Sequence, residues 1–461
     1  MLLRLGTVVA LLLALLALAV TPARAADPAA LSLTTTGGYA DEAAPLAVAL
    51  LAADGTPLVG ASVVVERRVG GAWTALATVV TDEAGAATTS TPRSRTAADN
   101  VFRASYAGDG THDPAAVTAT SRLARRTGVV TVGGPVKVVD ERTTTVKVVS
   151  RTSTGTPVSG WVRVERSASG QAWKTFRTVR TDDRGRASFV VRPRTDTRWR
   201  AVTKASDWVT GDRSPAHRVD NLPPGSPVRL PRGAPSPRVK VPAQPRATTR
   251  GAHPVVTRIP NGVWASMVGR SWHTGCPVGR EGLRLLRVNY WGYDGYRYRG
   301  EVVAATSAID NMARALTAMY DGRFPIRSMY RVDRFGWSGR LNGADDYRSM
   351  AAGNTSAFNC RDVVNRPGVR SPHASGRALD VNTWENPYRS ATGLVPNSWW
   401  QGHSHPRVAW RSRSHPVVRL FLRAGFRWTY ATGDSQHFDA VGSNGKVAVP
   451  SARACGGFVC H

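Results

Sequence analysis

Two short segments of the chain carry residues that could hold a metal ion. His373 and Asp380 stand seven residues apart in the first segment, and Asp434 and His437 stand three apart in the second. Catalytic zinc sites use three protein ligands and leave one position open for water. We predict that His373, Asp380 and His437 are those ligands. Asp434 is then a nearby carboxylate that can accept a proton from water and return it to a leaving amine. The alternative is that His437 is only a hydrogen-bonded core residue.

The local sequence predicts how the first two ligands are presented. A spacing of seven would align His373 and Asp380 on a helix, but Pro372 and Gly376 argue against a helix there. We therefore expect a loop that carries His373 and runs into a strand that carries Asp380. Three further histidines lie between the segments and are expected to be surface loop residues: His403, His405 and His415. The alternative for His405 is that it lines the pocket of the metal site.

Residues 256–461 contain all four cysteines and more aromatic residues than the chain before them. Strands and helices are mixed there without the regularity of βαβ units, which indicates an α+β domain. The predicted elements in chain order are a strand over 283–290, a hairpin turn at Asp294-Gly295, a helix over 309–320 stopped by Gly322, a strand over 324–327, a helix over 416–424 and a strand over 426–428.

The preceding chain contains an internal repeat. Residues 27–125 and 126–221 share landmarks at an offset of 100, among them Trp73 with Trp173 and Thr81-Asp82 with Thr181-Asp182. A repeat of about 100 residues, rich in valine, threonine and turn signals, predicts two all-β sandwiches. These segments resemble the immunoglobulin-like modules of bacterial surface and secreted proteins. Neither carries a catalytic cluster, so we expect them to act as spacers or weak binders.

The net charge of +29 implies an anionic partner, either nucleic acid or the polyanionic wall of a bacterium. The basic residues are mostly scattered arginines, and no aromatic-basic RNA motif occurs, so we expect no nucleic acid. Residues 222–255 combine frequent proline with arginine and lysine, which predicts an extended, semi-rigid linker. Its charges could contact an anionic polymer or only be solvated.

The first 25 residues are typical of a secretory signal peptide. Arg4 precedes an apolar run over 8–20, and Ala23-Arg24-Ala25 is a small-x-small cleavage site. The alternative is a membrane anchor, but the run is short for a span of about 20 residues. We therefore expect cleavage, export and no stable membrane insertion afterwards.

The four cysteines fit an oxidising compartment. A local disulfide could close the Cys455–Cys460 loop, which would leave Cys276 with Cys360, but three pairings exist and sequence does not select one. A cysteine zinc site is the rival interpretation, and the absence of any CxxC pair argues against it.

Both metal-site segments resemble a known family. Ser-x-His-x-x-Gly-x-Ala-x-Asp, read from Ser371 to Asp380, and Asp434-x-x-His437 are similar to the two half-motifs of zinc D-alanyl-D-alanine carboxypeptidases and L-alanyl-D-glutamate endopeptidases, including phage endolysins. The run over 354–361 also resembles the endopeptidase branch. The resemblance covers about 260–450. It implies an α+β hedgehog/D-Ala-D-Ala peptidase fold and Zn²⁺ held by His373, Asp380 and His437.

The resemblance also implies roles for the remaining residues. Asp434 is the general base and then the acid. Arg361 is the best candidate for binding a substrate carboxylate or stabilising the oxyanion, because guanidinium is a fixed bidentate donor. Arg348 is the rival for that role. Ser371 either hydrogen-bonds substrate or only holds the loop.

The leading hypothesis is a secreted, wall-associated zinc peptidase that cuts peptidoglycan stem peptides and is attracted by anionic wall polymers. Sequence does not decide between carboxypeptidase and endopeptidase action. A second hypothesis is a wall-binding protein whose peptidase domain no longer cuts, against which Asp434 argues. A third is a structural adhesin built on the sandwiches.

Overall fold

The computed structural model describes residues 26–391, 393–442, 444–447 and 459. The chain divides into two compact units. The first contains residues up to 136 together with 144–191 and 196–219, and the second contains 137–143, 192–195 and the chain from 220 onward. The predicted signal peptide and the Cys455–Cys460 pair lie outside the described residues. Among the helices of the described chain, none has the length and apolar character needed to cross a bilayer.

The first half of the repeat consists of strands only, apart from one short 3-10 turn. Its strands are β1 (Ala29–Thr35), β2 (Gly38–Tyr39), β3 (Ala43–Ala52), β4 (Ser62–Val69), β5 (Ala72–Val80), β6 (Ala86–Pro92), β7 (Val101–Tyr106), β8 (Ala115–Thr120) and β9 (Leu123–Ala124). They form the sheets β1-β3-β6 and β5-β4-β7-β8, with a small β2-β9 pair. Alternating apolar residues of the two larger sheets, such as Leu46, Val63 and Phe102, share one core.

The second half repeats this arrangement. Its strands are β10 (Gly128–Gly133), β11 (Lys137–Val139), β12 (Thr144–Thr152), β13 (Gly160–Ala168), β14 (Lys174–Thr181), β15 (Arg186–Val191), β16 (Thr197–Thr203) and β17 (His217–Leu222). Strands β10-β12-β15 form one sheet, and β17, β16, β13 and β14 follow one another in the other. Both halves are thus β-rich with paired sheets, while their immunoglobulin-like character stays a prediction.

The second unit mixes strands and helices around one large core. Its longer elements are α1 (Asn261–Met267), β19 (Leu283–Trp291), β20 (Arg297–Ala305), α2 (Ile309–Asp321), α3 (Asp346–Ala351) and α4 (Pro416–Arg423). Its shorter strands are β18 (Val255–Thr257), β21 (Trp337–Ser338), β22 (Gly343–Ala344), β23 (Asp362–Val363), β24 (Arg366–Arg370), β25 (Ala378–Asp380), β26 (Tyr388–Ser390), β27 (Gly393–Val395), β28 (Phe426–Arg427) and β29 (His437–Ala440). The β19–β20 hairpin, α2, α4 and the sheet β25-β29-β28 supply the core.

Most predicted elements of this unit occur close to their expected positions. The apolar residues at helical spacing in α2 face the core, and Gly322 caps the helix. Proline occupies the first turn of α4, where its missing N–H costs nothing. The predicted strand over 324–327 is wrong, since that segment is irregular. Its backbone groups bond to separate partners and not to one neighbouring strand. The Ile326 N–H donates to the Trp291 carbonyl, and the Pro325 carbonyl accepts from the Asn382 side-chain amide.

The proline-rich segment 222–255 lies along the surface of the second unit. The Trp384 indole donates to the Pro235 carbonyl at 2.7 Å, and the Gln244 amide donates to the Met329 carbonyl at 2.7 Å. Val239 packs against a small apolar cluster that contains Phe335. The segment is therefore held by specific hydrogen bonds and apolar contacts, although it contains little regular structure.

A disulfide joins Cys276 to Cys360 across 84 residues of sequence. Cys360 is fully buried beside Ile259 and Met267. The bond connects the segment before the β19–β20 hairpin to the chain that leads into β23.

We expect the double substitution Cys276→Ser/Cys360→Ser to lower the free energy of unfolding of the second unit by about 2–5 kcal/mol, because a closed loop of this length restricts the unfolded chain. Calorimetric unfolding of the full chain, with and without a reductant, measures the effect. The reductant should lower the unfolding midpoint of the second unit in the wild type and leave that of the variant unchanged. Equal midpoints for the two oxidised proteins would contradict a stabilising bond.

Candidate metal centre

Two neighbouring strands place two of the predicted ligands side by side. Strand β25 pairs antiparallel with β29, and the register sets Asp380 directly opposite His437. Directly opposed residues have Cβ atoms about 4.5–5.5 Å apart on the same face of a sheet. Asp380 and His437 are 57 positions apart in the chain, and the pairing of β25 with β29 brings the two half-motifs together.

A tight turn presents the third predicted ligand. His373 lies in a single 3-10 turn, Pro372–Ser375, rather than in the irregular loop that we expected. Ser371 caps this turn, its hydroxyl accepting from the His373 N–H at 3.3 Å, which favours the loop-holding role for Ser371. Gly376 then adopts φ +69°, and a Cβ at this position would stand 2.7 Å from the Ala305 nitrogen. Only glycine fits both the conformation and the space.

The three side chains converge on one point. His373 Nε2 lies 3.2 Å from His437 Nδ1, His437 Nδ1 lies 3.1 Å from Asp380 Oδ1, and Asp380 Oδ2 lies 3.3 Å from His373 Nε2. Ligand atoms bound tetrahedrally to zinc at about 2.0–2.1 Å stand roughly 3.3 Å apart, so the spacing fits zinc without further movement. All three residues are buried.

The outer nitrogens of both rings support the same interpretation. His373 Nδ1 lies 2.6 Å from the Ala357 carbonyl, and His437 Nε2 lies 3.0 Å from Asp439 Oδ1. Both partners are acceptors, so these nitrogens carry the protons in the neutral rings, and the inner nitrogens present lone pairs. Two imidazole nitrogens and one carboxylate oxygen therefore point inward, a donor set that suits zinc.

Asp434 lies beside this cluster. It follows a short turn, Ala431–Gly433, and forms an isolated β-bridge with Tyr388. Burial raises the pKa of the Asp434 carboxyl well above its usual value, and while His437 acts against this, the negative charge of Asp380 adds to it. The carboxylate is thus within electrostatic range of two predicted ligands and is shielded from bulk solvent.

The two predicted substrate-binding arginines occupy different environments. Arg361 is fully buried and forms an ion pair with Asp346 at 2.7 Å. Burial acts to lower the pKa of Arg361, but Asp346, Tyr388 and Asp380 raise it above its usual value, so the guanidinium stays charged beside the cluster. Arg348 lies on α3 and is exposed. The structure therefore brings Arg361 to the site and leaves Arg348 at the surface.

The three histidines between the half-motifs lie outside the ligand cluster. His403 stacks on Trp399 with ring centroids 3.7 Å apart, and His415 caps α4 by accepting from the Val417 N–H. His405 accepts from the Arg407 N–H at 3.1 Å. Each has a local structural contact.

Sequence reasoning missed several residues around the site. Asp439 is two residues after His437 on β29, so both point to the same face, and a His-x-Asp pattern on a predicted strand could have indicated it. Asp346, the partner of Arg361, and the buried Tyr388 have no local signal in the sequence. Tyr430 packs on His437 with ring centroids 5.3 Å apart.

Comparison with known proteins supports a C-terminal peptidase domain. Residues 365–440 match a family model described as D-alanyl-D-alanine carboxypeptidase. This segment contains the three predicted ligands and Asp434. No curated protein matches the chain.

The similar solved structures resemble the chain only loosely. Escherichia coli α2-macroglobulin in its native conformation is 11% identical over 57% of this chain and 18% of its own length, with a TM-score of 0.19. A marsupial T cell receptor is 11% identical over 59% of this chain and 99% of its own, with a TM-score of 0.21. The chain spans less than a fifth of the macroglobulin's length, and likeness at this level carries no argument.

We expect Asp439→Ala to weaken zinc binding about 10- to 100-fold, because the carboxylate orients the His437 ring and holds its tautomer. Competition with a chromophoric chelator measures the affinity. Asp321→Ala, which removes an exposed carboxylate at the end of α2, is the matched control and should leave the affinity unchanged. Equal affinities for the two variants would show that Asp439 does not support the centre.

Proposed function

We propose that the second unit is a zinc-dependent peptidase that hydrolyses peptidoglycan stem peptides. The observation that carries the proposal is the convergence of His373, Asp380 and His437 within the segment that matches the peptidase family. The predicted export signal and the positive charge of the chain agree with action at the cell wall, outside the cell.

The proposed ligands would give the metal an open position. A zinc ion held there would supply a Lewis acid that polarises the scissile carbonyl and makes water acidic enough to attack at neutral pH. Asp434 is proposed to accept the proton of the attacking water and to deliver it to the nitrogen of the leaving group. Its burial beside the proposed ligands supports this role, because burial raises the pKa of the carboxyl, and a general acid–base group works best when its pKa lies near the operating pH.

Arg361 is proposed to bind the negative charge of substrate or transition state. Its guanidinium is pre-oriented by Asp346, so little side-chain entropy is lost when it donates hydrogen bonds. Donors that are fixed before the reaction stabilise developing charge without reorganisation, which is the basis of oxyanion stabilisation.

We expect Asp434→Ala to lower the hydrolysis rate of a purified stem pentapeptide about 10²- to 10⁴-fold, the range for removing a general acid–base group. Zinc content should remain at one equivalent, because Asp434 is not a ligand in this scheme. Mass spectrometry of the wild-type products also identifies the cleaved bond: loss of one alanine means carboxypeptidase action, and an internal cut means endopeptidase action. An unaltered rate in the zinc-loaded variant would remove Asp434 from the mechanism.

A pair of matched substitutions separates the two arginines. Arg361→Lys keeps the positive charge beside Asp346 but loses the fork of donors, so we expect kcat/KM to fall about 10²-fold. Arg348→Lys makes the same change at an exposed position and should leave kcat/KM within about twofold. Circular dichroism and zinc content establish that both variants are folded. The reverse pattern would assign charge recognition to Arg348.

A further inference from the structure

The outer face of the sheet that contains β13 and β14 carries an exposed tryptophan among arginines. Trp161 is 68% exposed to solvent. The strand register places Arg180 directly opposite Trp161, and Arg163, two residues along β13, lies on the same face. Arg163 and Arg180 are both exposed, and Arg163 also pairs with Glu165 at 3.1 Å. We call the surface formed by Trp161, Arg163 and Arg180 the Trp161 face.

The two halves of the repeat differ sharply in charge. Residues 27–125 contain 7 arginines and no lysine against 10 acidic residues, a net charge of −3. Residues 126–221 contain 19 basic and 9 acidic residues, a net charge of +10. The halves share their strand order, so the positive charge is a property of the second half's surface and not a requirement of its fold.

The structural features that the two halves share lie next to the Trp161 face. Arg103 pairs with Glu66 at 2.6 Å and stacks on Trp73 at 4.6 Å. In the second half Arg200 pairs with Glu165 at 2.7 Å and stacks on Trp173 at 4.2 Å. Both halves also have a bulge at the same point of the hairpin, just before these glutamates. These features maintain the sheet in both halves.

The Trp161 face is where the halves diverge. The register that pairs Trp161 with Arg180 in the second half pairs Ser62 with Val80 in the first. Val64 stands in the first half at the position of Arg163. An indole that is two-thirds exposed contributes little to the core. The fold is built without Trp161 in the first half, so its presence in the second points to a binding role.

We propose that the Trp161 face binds a glycosylated polyol phosphate, a polymer in which sugars are substituents on a chain of phosphodiester-linked polyols. Guanidinium groups donate paired hydrogen bonds to phosphate oxygens, and the flat indole offers an apolar surface on which a sugar ring can stack. The side chains of Arg163 and Arg180 flank the indole along and across the strands, so phosphate and sugar units of one chain can contact the face together. Charge complementarity supports an anionic occupant, since this half carries a net charge of +10.

The face suits such a polymer better than single-stranded nucleic acid. Sequence-independent binding of single strands uses several aromatic rings on which successive bases stack. On this sheet face Trp161 is open, whereas Trp173 is already covered by Arg200. One exposed indole can stack on one sugar or base. The remaining contacts of the polymer must then be made by its phosphate groups with the arginines.

The test measures binding of the full-length protein to purified poly(glycerol phosphate), with and without sugar substituents, by titration at two salt concentrations. Trp161→Ala should weaken binding to the glycosylated polymer at least about fivefold, as expected for one lost stacking contact, and should change binding to the unsubstituted polymer less than twofold. Arg163→Gln/Arg180→Gln should weaken binding to both polymers and flatten the salt dependence.

Lys147→Gln/Arg186→Gln is the matched control. It removes two exposed positive charges from the other sheet of the same half, made of β10, β12 and β15. Equal losses in the two double variants would overturn the proposal in favour of non-specific charge attraction. A single-stranded oligonucleotide that binds as tightly as the glycosylated polymer, with the same dependence on Trp161, would also overturn it, as would no measurable binding by the wild type. The proposal does not depend on the proposed peptidase, and hydrolysis of a soluble stem peptide should be unchanged in all these variants.

Discussion

The second unit depends on one electrostatic constraint: three side chains bring proton-acceptor atoms together in a buried space. His373, Asp380 and His437 bring two ring nitrogens and carboxylate oxygens to within 3.3 Å of one another. Acceptor atoms at this distance repel unless positive charge lies between them, and burial makes that repulsion stronger because little water screens it. Without a metal a proton can supply that charge: burial acts to lower the pKa of His437, but Asp439 and Asp380 raise it well above its usual value. A divalent cation turns the repulsion into attraction. Metal binding would therefore contribute directly to the stability of this unit, since the unfolded chain has no such preformed site.

One strand pair and one turn bring these three side chains together. Antiparallel pairing of β25 and β29 fixes Asp380 against His437, and the turn ending at Gly376 returns His373 to the same point. The alternation of β29 then sets Asp439 behind His437, so a single strand supplies both a predicted ligand and the carboxylate that contacts its outer nitrogen. An ion pair to Asp346 accounts for the charged Arg361 in the interior, where a lone guanidinium would be costly.

The sequence predicted the parts of this arrangement that local pattern determines. Helical spacing identified α2, and proline and glycine marked the ends of α4. The segment 324–327 was predicted to be a strand, yet its hydrogen bonds go to separate neighbours that only the folded chain brings near. Asp346 and Tyr388 were not predicted as site residues for the same reason. Their relation to Arg361 and Asp434 arises from tertiary packing, which no spacing along the chain records.

The internal repeat adds a comparison that a single domain cannot offer. Both halves retain the paired Glu66–Arg103 and Glu165–Arg200 contacts, each arginine stacked on a tryptophan, and both retain the hairpin bulge. A position that differs between the copies and is also exposed in the second is not explained by packing in the core. Trp161 is such a position, and it is also exposed, so neither packing nor strand pairing explains an indole there. What remains is the surface chemistry of the second half, where the positive charge of the repeat is concentrated.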